Sequence, residues 1–224
     1  MNSPPDRQKT RSLTTQIALM EAAEKLVAKN GIQNVSIKGI VKQAAQKNES
    51  VLQYHFKNLQ GLIDAIHTRR TAQTQNKRLQ LLTELDSIGS PPSLRTLCGI
   101  MVMPTFLLAK SEPGFRRYII AFSPEIAVAI GSALTMVNKT GGGGESGQRT
   151  GELLRVALSH LDEPTYRQRM DFALRLSSAA MGNHARQKQA FRGASAERFV
   201  NSLIDALEGL LSAPVSQETN LFKE

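Results

Sequence analysis

The stretch VSIKGIVKQAAQKNESVLQYHFKNLQGLI, residues 35–63, decides the fold because it holds three short apolar repeats at helical spacing. The first repeat has apolar residues at i, i+3, i+4 and i+7, which is one face of a helix: Ile37, Ile40, Val41 and Ala44. A polar break at 46–48 separates it from a second short apolar face: Val51, Leu52 and Phe56. The third repeat restores the i, i+3, i+4, i+7 spacing: Leu59, Leu62, Ile63 and Ile66.

Two short helices joined by a polar turn and held between flanking helices are typical of a helix-turn-helix. Ser36, Asn48 and Asn58 are the residue types that cap helix N-termini, and each stands just before one of the three predicted helices. The sequence therefore predicts that the second short helix presents its side chains to a DNA major groove.

The composition indicates a folded protein of a reducing compartment. Of the 224 residues, 41% are hydrophobic and 21% are charged, which is typical of a globular chain. The single cysteine, Cys98, permits no internal disulfide and no multi-cysteine zinc site. No apolar run approaches the roughly 20 residues of a membrane span, and residues 1–12 lack the apolar core of a signal peptide. We expect a soluble, cytoplasmic protein without a membrane partner.

The positive charge is concentrated near the predicted helix-turn-helix. The net charge is +9, and residues 1–70 hold eleven Lys and Arg against five Asp and Glu. Residues 71–224 hold seventeen against fourteen. Scattered lysines can be a solvated surface, but this excess beside a helix-turn-helix favours a polyanion as the partner.

Outside this stretch the pattern is helical almost throughout, with Pro or Gly at the breaks. The predicted helices cover 14–30, 93–110, 114–122, 124–138, 149–161, 164–189 and 195–212, besides a long helix from 58 past 80. We predict an all-α fold with an N-terminal three-helix helix-turn-helix domain and a larger C-terminal helical domain. The expected boundaries are a flexible basic arm at 1–12 with Arg7, Lys9 and Arg11, the DNA-binding domain at 13–57, and the second domain at 58–224. The Gly-rich run at 140–147 lacks the Gly-Lys-Ser/Thr of a phosphate loop and is predicted to be a flexible linker.

Residues 13–66 resemble the DNA-binding domain of TetR/AcrR-type transcriptional repressors. The matching pieces are LMEAA at 19–23, Gly31, SIKGIV at 36–41, NESVLQYHFKN at 48–58 and Leu62. The resemblance implies a recognition helix over 48–55, with Tyr54, His55 and Lys57 near phosphates.

The chemistry of the residues agrees with that implication. Ser36 can offer its hydroxyl to a phosphate, Asn48 and Gln53 can reach base edges, and the methyl groups of Val51 can meet a thymine methyl. Lys47 and Lys57 bracket the helix and supply non-specific affinity. The predicted DNA contacts are Ser36, Lys38, Lys47, Asn48, Ser50, Val51, Gln53, Tyr54, His55 and Lys57. The open alternatives are that His55 only packs between helices and that the basic arm only aids solubility.

Three residues depart from the family pattern. Gln46 stands where the turn usually has glycine, so the turn is made without the residue that best tolerates positive φ. Leu59 replaces a common lysine, and Glu49 adds an acidic group near the expected phosphates.

For the C-terminal domain, the resemblance implies a ligand pocket and a four-helix bundle that the last two helices form with a second subunit. The apolar stripe Val200, Leu203, Ile204, Leu207 and Leu211 suits such an interface, although it could also pack within its own chain. The predicted pocket residues are Met101, Phe106, Phe115, Tyr118, Phe122, Met136, Arg175 and Met181. Arg116, Arg117 or Arg175 could pair with an anionic ligand, and Met and aromatic residues at this spacing are also common in plain cores.

The sequence gives little support for catalysis, a cofactor or a metal. Ser159, His160 and Asp162 are triad residue types, but their adjacency in the chain does not give triad geometry. The four histidines are dispersed without metal-ligand spacing. The preferred hypothesis is a homodimeric repressor that a small molecule releases from a near-palindromic operator. The alternatives are a DNA-binding regulator without an effector, and an enzyme or carrier whose helix-turn-helix is vestigial.

Overall fold

The computed structural model describes residues 4–139 and 143–221, and within them the fold is all-α. The N-terminal helices are α1 (Pro4–Asn30), α2 (Ile37–Gln43), α3 (Ser50–Phe56) and α4 (Leu59–Asp86). The middle of the chain forms α5 (Leu94–Ser111), α6 (Pro113–Ala127), α7 (Ala133–Lys139) and α8 (Gly144–Ala157). The last helices are α9 (Glu163–Ala185), α10 (Gly193–Ser212) and the short α11 (Gln217–Asn220). A 3-10 turn at Ile32–Asn34 joins α1 to α2.

Side-chain caps fix two of the helix starts where the sequence predicts them. The Ser36 hydroxyl oxygen accepts a hydrogen bond from the backbone N–H of Gly39 at 3.1 Å at the start of α2. The Asn58 side-chain oxygen does the same for the N–H of Gly61 at 2.8 Å at the start of α4. Each cap satisfies a backbone donor that a helix start otherwise leaves unpaired.

The first helix begins at Pro4, ten residues before the predicted start. Residues 4–12 are therefore a helical extension rather than the flexible arm that we expected, and residues 1–3 lie outside the described part. Lys9 and Arg11 are exposed on this extension. The Gly-rich linker prediction falls partly on 140–142, which also lie outside it, while α8 already begins at Gly144.

Pro124 lies inside α6 and does not end it, so the predicted break between two helices at 122–124 is wrong. Proline leaves the carbonyl four residues earlier without its helical donor. That carbonyl belongs to Ile120, and the Arg186 guanidinium at the end of α9 donates to it at 2.9 Å. The helix continues because a side chain from another element replaces the lost N–H, and it ends at Ala127 instead.

Two apolar cores organise the molecule. The N-terminal core joins α1, α2, α3 and the first turns of α4, and Phe122 of α6 is also part of it. The C-terminal core joins α5, α6, α8, α9 and α10. Helix α6 therefore contributes to both cores, with Tyr118 packing against each of them.

The apolar stripe of α10 packs inside its own chain. Val200, Leu203, Ile204, Leu207 and Leu211 are between 0% and 7% exposed in the single chain. The stripe thus cannot supply a subunit interface, and the alternative role as internal core is the correct one.

Helix α5 is the one helix in the described ranges that is long and apolar enough to cross a membrane by length and composition. Seven of its residues are buried, and it packs against α4, α6, α8 and α10. This is the arrangement of a core helix.

Candidate functional site

Helix α3 is anchored by two buried side chains on one face. Leu52 is fully buried and Phe56 is 8% exposed, and both belong to the N-terminal core. Val51 is half-buried and packs against the same core, so its methyl groups are only partly available to a base. The anchored face leaves the opposite side of α3 free for contacts outside the chain.

The opposite side of α3 is polar and exposed. Ser50 and Gln53 are exposed, and Tyr54 is 81% exposed although its ring is large and mostly apolar. The exposed Lys47 and Lys57 stand before and after the helix. Lys38, in the first turn of α2, is also exposed. These six residues, all predicted as DNA contacts, are thus open to solvent in the single chain.

Two of the predicted contacts are partly occupied by backbone hydrogen bonds. The Ser36 hydroxyl oxygen accepts a hydrogen bond from the Gly39 N–H, and its hydroxyl proton can still donate to another group. The Asn48 side-chain oxygen accepts the N–H of Ser50 at 3.0 Å, so its carboxamide is held at the start of α3. Its amide NH₂ group remains to donate.

His55 lies between α3 and α1. Its Nδ1 atom is 3.5 Å from Gln16 Nε2, and its ring meets the Tyr54 ring edge-on at 4.9 Å. The half-buried ring therefore packs between α3 and α1, as the packing alternative states, and it also contacts the ring of the exposed Tyr54.

The turn between α2 and α3 takes its positive φ at Ala45, with φ of 54°, and not at Gln46. The N–H of Gln46 bonds to the Val41 carbonyl at 2.9 Å, and the N–H of Ala45 bonds to the Lys42 carbonyl at 3.1 Å. This pair of bonds is a Schellman motif, whose left-handed position glycine usually fills. The residue that stands in place of the usual glycine is thus Ala45, one residue before Gln46, where the sequence pattern places it.

The connection from α3 to α4 is a second tight turn. Lys57 has φ of 67° and ψ of −49°, and the N–H of Asn58 bonds across it to the Phe56 carbonyl at 2.8 Å. These angles and this bond define a γ-turn of the rare, strained kind. A Cβ atom on Gly61 would collide with the same Phe56 carbonyl, so this turn also requires glycine at position 61.

A buried ion pair ties α1 to α4 beneath the N-terminal core. Arg70 donates from Nε and from its Nη2 atom to the two Glu24 carboxylate oxygens at 2.6 and 2.7 Å. Both side chains are 1% exposed. Arg70 also donates to Gln73 at 2.9 Å and lies 3.6 Å from Glu112. Such a bidentate pair fixes the angle between the two helices.

A cavity of about 220 Å³ lies between α4, α5, α6, α7 and α9. Six of the eight predicted pocket residues line it: Met101, Phe115, Tyr118, Phe122, Met136 and Met181. That a ligand occupies the cavity stays a prediction.

Phe106 and Arg175 do not line this cavity. Phe106 is fully buried and meets the Phe191 ring edge-on at 5.6 Å in the C-terminal core. Arg175 binds Asp171 at 2.7 Å and donates to the Ala129 carbonyl at 2.9 Å, which fixes the loop after α6. Aromatic and arginine side chains at helical spacing occur in cavity walls, in apolar cores and in loop contacts. Spacing alone therefore could not distinguish the cavity-lining residues from Phe106 and Arg175.

Sequence reasoning missed the polar side of the cavity. Four residues of α4 line it at i, i+4, i+7 and i+11: His67, Thr71, Thr74 and Arg78. A polar stripe on one face of a long helix was the signal for them. Because α4 begins directly after α3, this stripe connects the cavity to the predicted recognition helix.

The end of the cavity nearest the N-terminal core holds three linked polar side chains. His67 Nδ1 is 3.2 Å from the Tyr118 hydroxyl, and His67 Nε2 is 3.4 Å from a Glu125 carboxylate oxygen. Burial raises the pKa of the Tyr118 hydroxyl, and the Glu125 and Glu24 carboxylates raise it further. The phenol therefore stays neutral and can donate a hydrogen bond.

Arg78 marks the other end of the cavity. It borders a second cavity of about 550 Å³, which reaches α8 and Tyr166. Burial lowers the pKa of the Arg78 guanidinium, and one of its nitrogens lies 3.5 Å from the Ser146 hydroxyl oxygen. Met101, Val137 and Leu174 border both cavities, so the two cavities adjoin each other.

The triad-type residues before α9 have a structural use. The Asp162 carboxylate accepts the Thr165 N–H at 2.9 Å and caps α9. In the described ranges no group of three His, Cys, Asp or Glu side chains is placed to hold a metal ion.

Comparisons with known proteins give a fold likeness only. No protein-family model matches this chain, and no curated protein matches it. Among solved structures, the chain is similar to RolR (NCGL1110) in complex with its ligand resorcinol, with 14% identity and a TM-score of 0.46. The likeness covers 93% of this chain and 98% of that chain. At this identity and TM-score, it assigns neither a family nor a function to the present chain.

Proposed function

We propose that this chain is a sequence-specific DNA-binding transcriptional regulator, and that it is a homodimeric repressor which a small molecule releases from its operator. The exposed outer face of α3 carries the proposal, since it combines Gln53 and Tyr54 with flanking Lys47 and Lys57. The resemblance of residues 13–66 to the TetR/AcrR DNA-binding domain supports it.

The proposed contacts divide by chemistry. Gln53 can bond in a bidentate way to N6 and N7 of adenine in the major groove. Tyr54, Lys47 and Lys57 approach phosphates, and these contacts supply affinity without sequence preference. Two copies of α3 in a symmetric dimer would enter successive major grooves about 34–36 Å apart, so the operator would be a near-palindrome.

The outward faces of α9 and α10 support a dimer. The two helices are antiparallel neighbours, because His184 late in α9 stacks on Phe199 early in α10 and Arg169 early in α9 donates to the Leu211 carbonyl late in α10. Helical spacing gives each helix an outward strip without charged side chains. On α9 this strip includes Phe172, 50% exposed, and Leu176, 36% exposed. On α10 it consists of the small exposed residues Ser195, Ser202, Ala206 and Gly209, with the half-buried Phe199 and Leu210 beside them.

A charge in the middle of that strip tests the dimer. Ala206→Glu should convert the protein to a monomer in sedimentation velocity, since a buried unpaired carboxylate opposes association. Val156→Glu is the matched control because Val156 is 74% exposed on α8 and lies away from the strip. Equal dimer content in both variants would refute this interface.

The cavity supports an effector, because its walls touch the elements that position α3. His67 lies on the helix that follows α3, and Phe122 belongs both to the cavity wall and to the N-terminal core. A ligand that binds the two arrangements of these helices unequally would change the separation of the recognition helices in the dimer.

A cavity-filling variant tests the effector. Thr105 lines the cavity from α5, and Thr105→Phe should block ligand-induced release while leaving DNA affinity unchanged. The wild type is screened first with a broad compound panel by thermal shift, and hits are tested for release of bound DNA. A wild type that binds DNA but shifts with no compound would favour the regulator without an effector.

The DNA-binding role is tested with the protein's own genomic fragments and with the double variant Tyr54→Ala/Lys57→Ala. The variant should bind all DNA more weakly, and its slope of log affinity against log salt should flatten by about one unit per lost phosphate contact. Lys188→Ala is the control, since it removes an exposed positive charge beyond α9. A wild type that selects no fragment at low salt would refute the role.

A further inference from the structure

The surroundings of α3 change which side chains can read bases. The Asn48 side-chain oxygen is engaged by the Ser50 N–H, and Val51 is half-buried against the N-terminal core. Two of the predicted base contacts are thereby weakened. The Glu49 carboxylate, next to Asn48 in the chain, is an exposed hydrogen-bond acceptor.

Glu49 is exposed and precedes Gln53 by one helical turn. Its side chain makes no capping hydrogen bond at the start of α3, and no ion pair joins it to any residue within 4–139 or 143–221. At a spacing of i and i+4, Glu49 and Gln53 point to the same side of the helix. A charged side chain on a DNA-facing surface with no structural partner needs a role in the complex or weakens it.

We propose that Glu49 is a specificity-determining residue that reads a cytosine in each operator half-site, an assignment that rests on the proposed DNA-binding function. The carboxylate only accepts hydrogen bonds. In the major groove cytosine presents the N4 amino donor, whereas guanine presents only acceptors and thymine presents an acceptor and a methyl group. A carboxylate at this position would therefore reject guanine and thymine by repulsion, and it would favour cytosine over adenine because the N6 amino donor of adenine stands beside the N7 acceptor.

The same chemistry explains why an acidic residue is tolerated here. Lys47 and Lys57, exposed on either side of α3, provide the attraction to phosphates that Glu49 reduces. The carboxylate lowers affinity for every sequence except those that offer a donor at the right base pair. Discrimination then comes from penalties against wrong sequences as much as from contacts with the right one.

The helix spacing limits how far the cytosine can lie from the adenine that Gln53 reads. Four residues of an α-helix rise about 6 Å, and successive base pairs are about 3.4 Å apart. The cytosine should thus lie no more than about two base pairs from the adenine that Gln53 reads.

The test is selection from random duplex DNA with the wild type, Glu49→Gln and the control Glu84→Gln. Glu84 is exposed near the end of α4, so the control removes the same charge far from α3. The wild type and the control should select the same half-site with cytosine at one position. Glu49→Gln should replace that cytosine by adenine, the base that a glutamine reads, and should bind the wild-type operator about tenfold or more weakly.

Two outcomes overturn the assignment. If Glu49→Gln selects the unchanged half-site and binds every sequence more tightly, Glu49 is only a repulsive charge. If the wild type selects no sequence at all, the proposed DNA-binding function fails and the assignment fails with it. A circular dichroism spectrum identical to that of the wild type shows that Glu49→Gln is folded, as expected for an exposed side chain without partners.

Discussion

The buried Glu24–Arg70 pair should behave very differently when one partner is removed and when both are. Arg70→Met leaves the Glu24 carboxylate buried, and in the described ranges its only hydrogen-bond donor is Arg70. Glu24→Leu leaves the Arg70 guanidinium buried, but Gln73 at 2.9 Å and Glu112 at 3.6 Å still compensate it in part.

The magnitudes follow from the burial of the pair. Removing one partner of a buried ion pair costs about 3–5 kcal/mol of unfolding free energy, because an uncompensated charge stays buried. Arg70→Met should lie at the upper end of that range and Glu24→Leu at the lower end. The double variant buries apolar side chains of similar size, so its stability should return to within about 1–2 kcal/mol of the wild type.

Urea denaturation of the four proteins measures these differences in a double-mutant cycle. The expected coupling energy between Glu24 and Arg70 is at least about 3 kcal/mol. The exposed pair Arg149–Asp86, with side chains 41% and 52% exposed, is the matched control and should give less than about 1 kcal/mol. A double variant as unstable as the sum of the two single variants would refute the reasoning.

Three further predictions concern the N-terminal helices and α9. Ala45→Gly should raise the unfolding free energy by about 1 kcal/mol in urea denaturation, because glycine relieves the left-handed strain in the turn before α3. Lower stability would mean that the strain is absent. Lys9→Ala should weaken DNA binding and flatten its salt dependence, whereas Arg11→Ala should do neither. The reason is that Lys9 lies on the same face of α1 as Gln16, which contacts His55, and Arg11 lies on the opposite face. Equal effects of both changes would contradict this, as would no effect of either. Burial, with Arg116 nearby, lowers the pKa of His184, whose ring nitrogen accepts the Phe191 N–H at 3.3 Å. The unfolded chain then binds more protons, so stability should fall as the pH drops below about 6.5, and less steeply in His184→Gln. Parallel pH profiles would exclude this role of His184.

The parts of the fold that depend on local chemistry were predictable from the sequence. The short helices α2 and α3 follow from periodic apolar residues and from capping side chains such as Ser36, whose contacts lie within a few residues of the chain. The start of α4 at Asn58 follows in the same way. The expectation of a ligand pocket came from the family resemblance and the choice of its residues from residue type. Six of the eight chosen residues line one cavity, and its use by a ligand stays a prediction.

The errors arose where distant residues decide the outcome. Pro124 stays inside α6 because Arg186, 62 residues later in the sequence, replaces the missing donor. The α10 stripe satisfies either an internal core or a subunit interface by periodicity alone, and only the packing of the other helices decides between them. The Ala45 turn shows a third limit, since a resemblance at the level of motifs assigned the positive φ to the neighbouring residue.

Phe122 has a consequence for how the chain can be divided. It comes from the middle of the sequence, is 4% exposed and completes the apolar core beneath α1 and α4. A truncated chain that stops at residue 57, or even at residue 86, would expose the surface that this ring covers and would also lose the packing of α6 against α1. Helices α1 to α4 are therefore not a module that can be excised or grafted onto another protein. Any transfer of these helices to another protein would have to carry α6 with it.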